Sequence, residues 1–428
     1  MRSLSYALTV LGIGAALIAG CGGDDGDDGT AAGDGKQSAT APISPDTADS
    51  AKGKVTVCLP KDVSGAFHKT IDAFNKESEV QAELLELPES ADQQREQLIT
   101  RARSKSSDCD VMGIDVIWTA EFANEGWVKD LSQVVEQRKA EFIASTLETG
   151  KYEGKYWALP HNSNAALLYY RTDAVKDAPA TWEDTYKLAA KHDGIVYQGA
   201  AYEGLTCDFL ELLYSAGGQV LSEDGKESAL DGDATRQVVE FMVKGVKDGT
   251  AAKGVTTFME EESRRVFEAG RVTFMRNWPY AYALGNKAPK IKGKFAITTL
   301  PGFAGNSGAG VLGGTNLAIS QYSKNPGGAL ALMNFFTGEV GQRLIGEGAT
   351  PPATIAAYDV ESVRKAIGLP DEVRDAVGKA KPRPVSPVYP QISQAIYKNV
   401  NKALAGEQST DDAVANMHRD VEKALATF

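Results

Sequence analysis

The chain has 428 residues, 24% of them charged, with a formal net charge of -12. That length exceeds one ordinary hydrophobic core and implies at least two domains. The acidic balance lacks the basic stripe that nucleic-acid binding requires, and says otherwise only that the surface is soluble and self-repelling.

Arg2 opens the chain, and Leu4 to Ile18 is a mostly apolar stretch ending in Ile18-Ala19-Gly20-Cys21. This is the layout of a secretory signal peptide over residues 1–20. The run is shorter than the ~20 residues a membrane span needs. Small residues before a cysteine resemble the lipobox of bacterial lipoproteins, which implies lipidation of Cys21 and anchoring to the outer face of the cytoplasmic membrane. An ordinary signal-peptidase site is the alternative. Residues 22–52 are Gly, Asp, Ala, Ser, Thr and Pro with almost nothing apolar. Such a segment cannot bury enough surface to offset its ordering entropy, so 21–53 is expected to be a flexible linker.

Order begins at the apolar strand Val55–Leu59. Phe67, Ile71 and Phe74 then fall on one face of a helix over 66–75. A strand over 82–87, a helix over 92–103 and a strand over 111–116 follow. Strands alternating with helices imply an α/β layer with parallel strands. Leu167–Arg171 and Asn316–Ser320 read as further strands. Helices fit 182–192, 207–216, 234–247, 261–269 and 329–337, and the chain is helical from Gln391 onward with a break at Gly406. In open α/β proteins ligands bind beyond the carboxyl ends of strands. Asp115 stands at such an end, and Asn164 stands in the loop before Leu167.

Cys58, Cys109 and Cys207 remain beyond Cys21, which permits one disulfide at most. Cys58 and Cys109 both lie near strand ends, so they are the pair to consider. Their spacing does not suit zinc, and four scattered histidines offer no metal cluster. Gly308 to Gly313 fits the dinucleotide fingerprint as text, but a strand follows it rather than a helix, so it reads as a glycine-rich crossing loop.

The run Arg276-Asn277-Trp278-Pro279-Tyr280-Ala281-Tyr282 ends a strand in three aromatic rings. Indole and phenol rings combine flat apolar faces with polar tips, which suits a sugar, although large aromatics are more often core. This run resembles its counterpart in the trehalose/maltose-binding lipoproteins of ABC importers. So do Asp115-Val116-Ile117-Trp118, Ala165 to Arg171, Tyr202 to Phe209, Leu312-Gly313-Gly314 and Pro382-Arg383-Pro384-Val385 with Tyr389-Pro390-Gln391, in the same order. The likeness covers residues 54–428.

The resemblance implies a two-lobed α/β fold, each lobe a mostly parallel sheet flanked by helices, with a hinge between them. The lobes divide as 54–161 plus 306–350 and 162–305 plus 351–428. It also implies an α-glucose disaccharide in the interlobe cleft, a permease partner with a cytoplasmic ATPase, a monomer, and no cofactor, metal or catalysis. Carried onto this chain, Asp115 and Asn164 would hold sugar hydroxyls, charge-assisted in the first case. Trp278 would stack on a pyranose, with Tyr280 as a hydrogen-bonding edge and Tyr282 in the core. Arg383, stiffened between two prolines, would present its fork to hydroxyls. Glu260, Tyr202 and Glu203 are further contacts, while Glu261 and Glu262 complement a helix dipole. Gly313 and Gly314 let backbone approach the ligand. Thr315 stands where the family can place tryptophan, which favours trehalose over maltose. Ser64 replaces an acidic loop residue. The rival readings are a glycoside hydrolase, pairing Asp115 with Glu260 at about 5–9.5 Å, and a binding protein for another oligosaccharide or a polyol.

Overall fold

The computed structural model describes residues 42–62, 64–88 and 90–427, so the expected signal peptide and Cys21 lie outside the described residues. Thirteen strands occur in chain order: β1 (Gly53–Pro60), β2 (Val80–Leu87), β3 (Val111–Asp115), β4 (Lys151–Tyr152), β5 (Lys155–Tyr156), β6 (Leu159–Pro160), β7 (Asn164–Ala165), β8 (Leu167–Arg171), β9 (Ile195–Val196), β10 (Phe274–Asn277), β11 (Phe295–Thr299), β12 (Leu312–Gly313) and β13 (Thr315–Ile319). They form a five-stranded sheet of order β2-β1-β3-β13-β6, a four-stranded sheet of order β11-β8-β10-β9, and the two-stranded ribbons β12-β7 and β4-β5.

The two sheets share no strand, and the chain passes between them at β6 to β8 and again at β11 to β13. The ribbon β7-β12 ties these crossings together, with Gly313 opposite Asn164. Val311 adds a parallel bridge to Lys381. The expectation of mostly parallel sheets holds for β2, β1 and β3. It holds also for β10 and β9, whereas β13 returns from the other sheet and pairs antiparallel with β3 and β6, and β8 pairs antiparallel with β10 and β11. A strand that arrives by a direct crossing has no helix to reverse it, so it enters antiparallel.

Each sheet has its own core. Val55, Val57, Leu59, Ile71, Phe74, Leu317 and Phe336 belong to one, and Leu167, Tyr169, Phe209, Val238, Phe274 and Ile396 to another. The helix Ala66–Glu77 buries Ile71 and Phe74 as its spacing requires, while Phe67 is half-buried against the ring of His161 at 5.3 Å. The helix Glu203–Ser215 begins four residues before the expected start at Cys207 and is buried on nearly every side, as an apolar-all-round helix must be. Gly204 looked like loop, but its missing side chain makes room for Tyr202, whose hydroxyl lies 2.2 Å from where a Cβ would sit. Helices over Glu339–Glu347, Glu361–Ile367 and Pro370–Lys379 were not legible as periodic segments.

The linker expectation is corrected over residues 42–52. Ile43 is buried and its amide donates to the Asp130 carbonyl at 3.0 Å. Pro45–Ala48 forms a 3-10 turn, and Ala48 and Ala51 pack on the first core. Three small apolar residues suffice because they meet a preformed surface rather than having to build one. Among the described residues no helix is long and apolar enough to cross a membrane.

Cys58 and Cys109 form a disulfide with Cα atoms 5.7 Å apart. It ties β1 to the residue pair that enters β3, closing a loop 51 residues apart in sequence. Reduction, or Cys58→Ser, should lower stability by about 2–4 kcal/mol through the larger entropy of the opened chain. Thermal melts with and without reductant check this; coincident melts would mean that the sheet alone fixes the loop.

Candidate functional site

The Asp115 end of the first sheet and the Asn277 end of the second face the crossings, and most of the sequence-derived candidates gather there. Arg383, only 5% exposed, links the two halves. Its Nη2 donates to Asp115 Oδ1 at 2.9 Å and its Nη1 to Glu203 Oε1 at 2.6 Å. Asp115 closes β3, and the same Oδ1 accepts from the Ile117 amide at 3.2 Å. Both of these bonds end on Oδ1 while a quarter of the Asp115 side chain stays exposed, so Oδ2 remains available to a ligand.

Glu203 has no such freedom. Beyond Arg383 its Oε1 accepts from the Tyr389 hydroxyl at 2.8 Å, and its Oε2 accepts from Ser393. Burial raises its carboxyl, partly offset by Arg383. The expected ligand contact at Glu203 is therefore corrected to an internal anchor. The Arg383 fork, expected to serve hydroxyls, is largely committed to carboxylates for the same reason: a buried guanidinium must be paired.

The aromatic block sits where β10 ends. Trp278 is half-buried, and its indole Nε1 donates to Glu260 Oε1 at 3.4 Å. The Arg276 guanidinium carbon lies 4.3 Å from the centre of its ring. Gly313 closes on another side: a Cβ there would stand 3.4 Å from the indole edge. Tyr202 is buried next to Glu260, and burial together with that charge pushes its hydroxyl far above the ordinary value. Tyr280 is corrected. Its hydroxyl donates to Glu261 Oε1 at 2.9 Å, within its own lobe, because Pro279 starts a short helix that turns the ring back toward the glutamates. Glu261 also pairs with Arg264, and Glu262 accepts from the Met259 amide, so both serve the helix start as expected. Tyr282 packs on Phe295 with ring centres 5.4 Å apart, at the margin of the core.

Thr315 lies opposite Asp115 across the β13–β3 pair, and the Gly314 carbonyl accepts from the Val116 amide at 3.2 Å. Gly314 has φ of 132°, and a Cβ there would meet the Asn162 carbonyl at 2.4 Å, so only glycine fits. Asn164 is half-buried beside Gly313. Among the described residues Ser64 makes only local hydrogen bonds. Its hydroxyl donates to Asp62 at 3.1 Å and accepts from the Ala66 amide at 3.2 Å, a local turn use that keeps it in its own loop.

The sequence reading missed Arg276 as a residue in its own right. Arg276 is 1% exposed and meets Asp208, Glu211 and Gln198. An arginine inside an apolar strand must find acids, and Asp208 and Glu211, three apart on an otherwise apolar helix, were the available signal. It also missed Asp92 at the start of the helix Ala91–Arg103, whose carboxyl is raised by burial and by the charges of Glu96 and Asp115, against Arg95. No group of three or more His, Cys, Asp or Glu among the described residues could hold a metal ion.

A family model described as bacterial extracellular solute-binding protein matches residues 60–343. A probable ABC transporter-binding protein of Deinococcus radiodurans is 33% identical over 372 residues, covering 82% of this chain and 88% of its own. The structure is similar to maltose-bound T. maritima MalE3, with 32% identity and a TM-score of 0.82, covering 87% of this chain and 99% of that one. It shares its fold with a Thermotoga lettingae solute-binding protein bound with alpha-D-tagatose, at 22% identity and TM-score 0.79, covering 87% of this chain and 100% of that one.

Two outcomes follow from the buried charges. Arg383→Ala strands Glu203 without its counter-charge and should cost about 3–5 kcal/mol in denaturant unfolding; a loss under 1 kcal/mol would show that Tyr389 and Ser393 suffice. Burial raises the Asp208 carboxyl far above its usual range, against Arg276 and reinforced by Glu211. A carboxyl raised in this way gives up its proton at higher pH in the fold than in the unfolded chain, which releases it near about pH 4. Stability should fall as pH rises from there until Asp208 ionises in the fold. Asp208→Asn should flatten that slope in unfolding titrations run across pH; an unchanged slope would place the proton elsewhere.

Proposed function

This chain belongs to the family of bacterial extracellular solute-binding proteins, and on that footing we propose that it captures an α-linked glucose disaccharide for an ABC importer. The observation that carries this reading is the half-exposed Trp278 ring, set at the strand end beside Glu260 and the Gly313 backbone, with Asp115 in the facing sheet. A ring face for a pyranose and flanking carboxylates for its hydroxyls is the combination that sugars need. Trehalose and maltose are the first candidates. Thr315 in place of a ring favours trehalose, whereas the likeness to maltose-bound MalE3 supports maltose.

In this reading the lobes divide at 161/162, 305/306 and 350/351 and close over the sugar by hinge motion. Asp115 through Oδ2, Asn164, Trp278, Glu260 and the amides of Gly313 and Gly314 make the contacts, with Tyr202 and Thr315 shaping the walls. Cys21 carries the lipid anchor, and the loaded monomer docks on the permease. The protein binds without turnover. Asp115 is tied to Arg383 and Glu260 to the Trp278 indole, arrangements that hold carboxylates still rather than ready them for proton transfer.

Calorimetric titration of the protein with trehalose, maltose, sucrose and lactose should give one-to-one binding of an α-glucoside and none of lactose. At 100 times the dissociation constant the ligand should stabilise the fold by about 2.7 kcal/mol. Trp278→Ala and Asp115→Asn should each abolish or greatly weaken the heat. Saturable binding of a polyol or a monosaccharide in place of any disaccharide would overturn the substrate, and release of glucose on long incubation would overturn the binding role.

A further inference from the structure

Arg276 lies in β10 and Trp278 directly follows the strand's last residue, two positions on. The guanidinium lies over the indole, 4.3 Å from the ring centre to Cζ. It cannot rotate away. Nε contacts Asp208 Oδ1 and Glu211 Oε2, each at 2.8 Å, Nη2 donates to Glu211 Oε1, and Nη1 donates to Gln198 Oε1 at 2.8 Å. Gln198 in turn donates to the Arg276 carbonyl at 3.3 Å. Every nitrogen of a planar group is thus fixed, and with it the plane.

The indole is held at its margins as well. Its backbone amide donates to Asn277 Oδ1 at 2.8 Å, its carbonyl accepts from the Tyr169 hydroxyl at 2.7 Å, and its Nε1 reaches Glu260. Arg276 covers one face of the ring, and Gly313 approaches the edge of its six-membered part. One face is left.

We propose that Arg276 is a positioning residue for ligand binding: locked by Asp208, Glu211 and Gln198, it braces one face of Trp278 and presents the opposite face to a single sugar ring. This rests on the reading of Trp278 as the stacking surface. A guanidinium suits the task because it is flat, permanently charged and weakly hydrated, and it stacks on aromatic faces. A lysine would supply the charge to Asp208 and Glu211 but no plane. The alternative is that Arg276 merely neutralises the two buried acids, with the indole adjacent by circumstance.

The test labels the full protein with 5-fluorotryptophan and follows fluorine resonances in wild type and Arg276→Lys. The five tryptophans allow Trp278 to be assigned by its loss in Trp278→Phe. Trp118, Trp127 and Trp157 pack in a separate core and serve as internal controls. The expected result in Arg276→Lys is a shifted or broadened Trp278 resonance with those three unmoved, and trehalose or maltose affinity down on the order of tenfold. Unchanged Trp278 resonance and unchanged affinity in folded Arg276→Lys would overturn the proposal. Should that variant unfold, Arg276→Met combined with Asp208→Asn and Glu211→Gln removes the guanidinium and both acids together. Such neutral replacement of a buried ion cluster is commonly tolerated, and the same two readouts decide. The fluorine measurement needs no sugar, so failure of the disaccharides to bind would sink the substrate reading while the brace is still judged.

Discussion

A buried guanidinium between a carboxylate at the end of one sheet and a carboxylate on a helix packed on the other is the interaction on which the candidate site depends. Arg383 reaches Asp115 at the end of the first sheet and Glu203 at the start of a helix packed on the second. Among the described residues the two sheets share no strand, and this ion pair adds to the crossing segments that tie them. Removing a charge from water costs several kcal/mol unless it is fully paired. The fold meets that demand with Tyr389 and Ser393 behind Glu203 and with prolines on either side of Arg383. What remains for a ligand is the uncommitted half of Asp115.

The second sheet repeats the device on a different scale. Arg276 is enclosed by Asp208 and Glu211, two acids for one cation, and burial raises the Asp208 carboxyl against the pull of Arg276 and with the push of Glu211. One buried arginine stands against the Asp115 carboxylate and the other against the Trp278 indole. Their partners occupy successive turns of one helix, Glu203, Asp208 and Glu211. That helix is consequently the common support of both halves of the site, which explains why it is buried along almost its whole length. Rigid elements with internally satisfied charges hold contact groups more closely than loops do, and preorganisation of that kind reduces the ordering cost of binding.

Much of the architecture was legible in the sequence. Alternating Val55, Val57 and Leu59, the helical spacing of Ile71 and Phe74, and the strand at 167–171 fix local structure by period alone. The aromatic run, the glycine pair and the proline-flanked arginine are brought into one neighbourhood by the fold. Less legible was which polar groups would be spent on one another. Glu203, Tyr280 and Ser64 have side chains suited to a sugar, yet each finds a protein partner first. No spacing rule could foresee that, since Glu203 and Arg383 are 180 residues apart. The docking of Ile43 beside Asp130 was invisible for the same reason.

The sequence by itself determined most of the element types, the need for more than one core and the glycine at 314, because these follow from local sterics and from the cost of desolvation. Only the tertiary structure decided strand direction at the crossings, the Cys58–Cys109 bond, and which acid each arginine takes. Those outcomes depend on distances between segments far apart in the chain, and distance is what folding supplies.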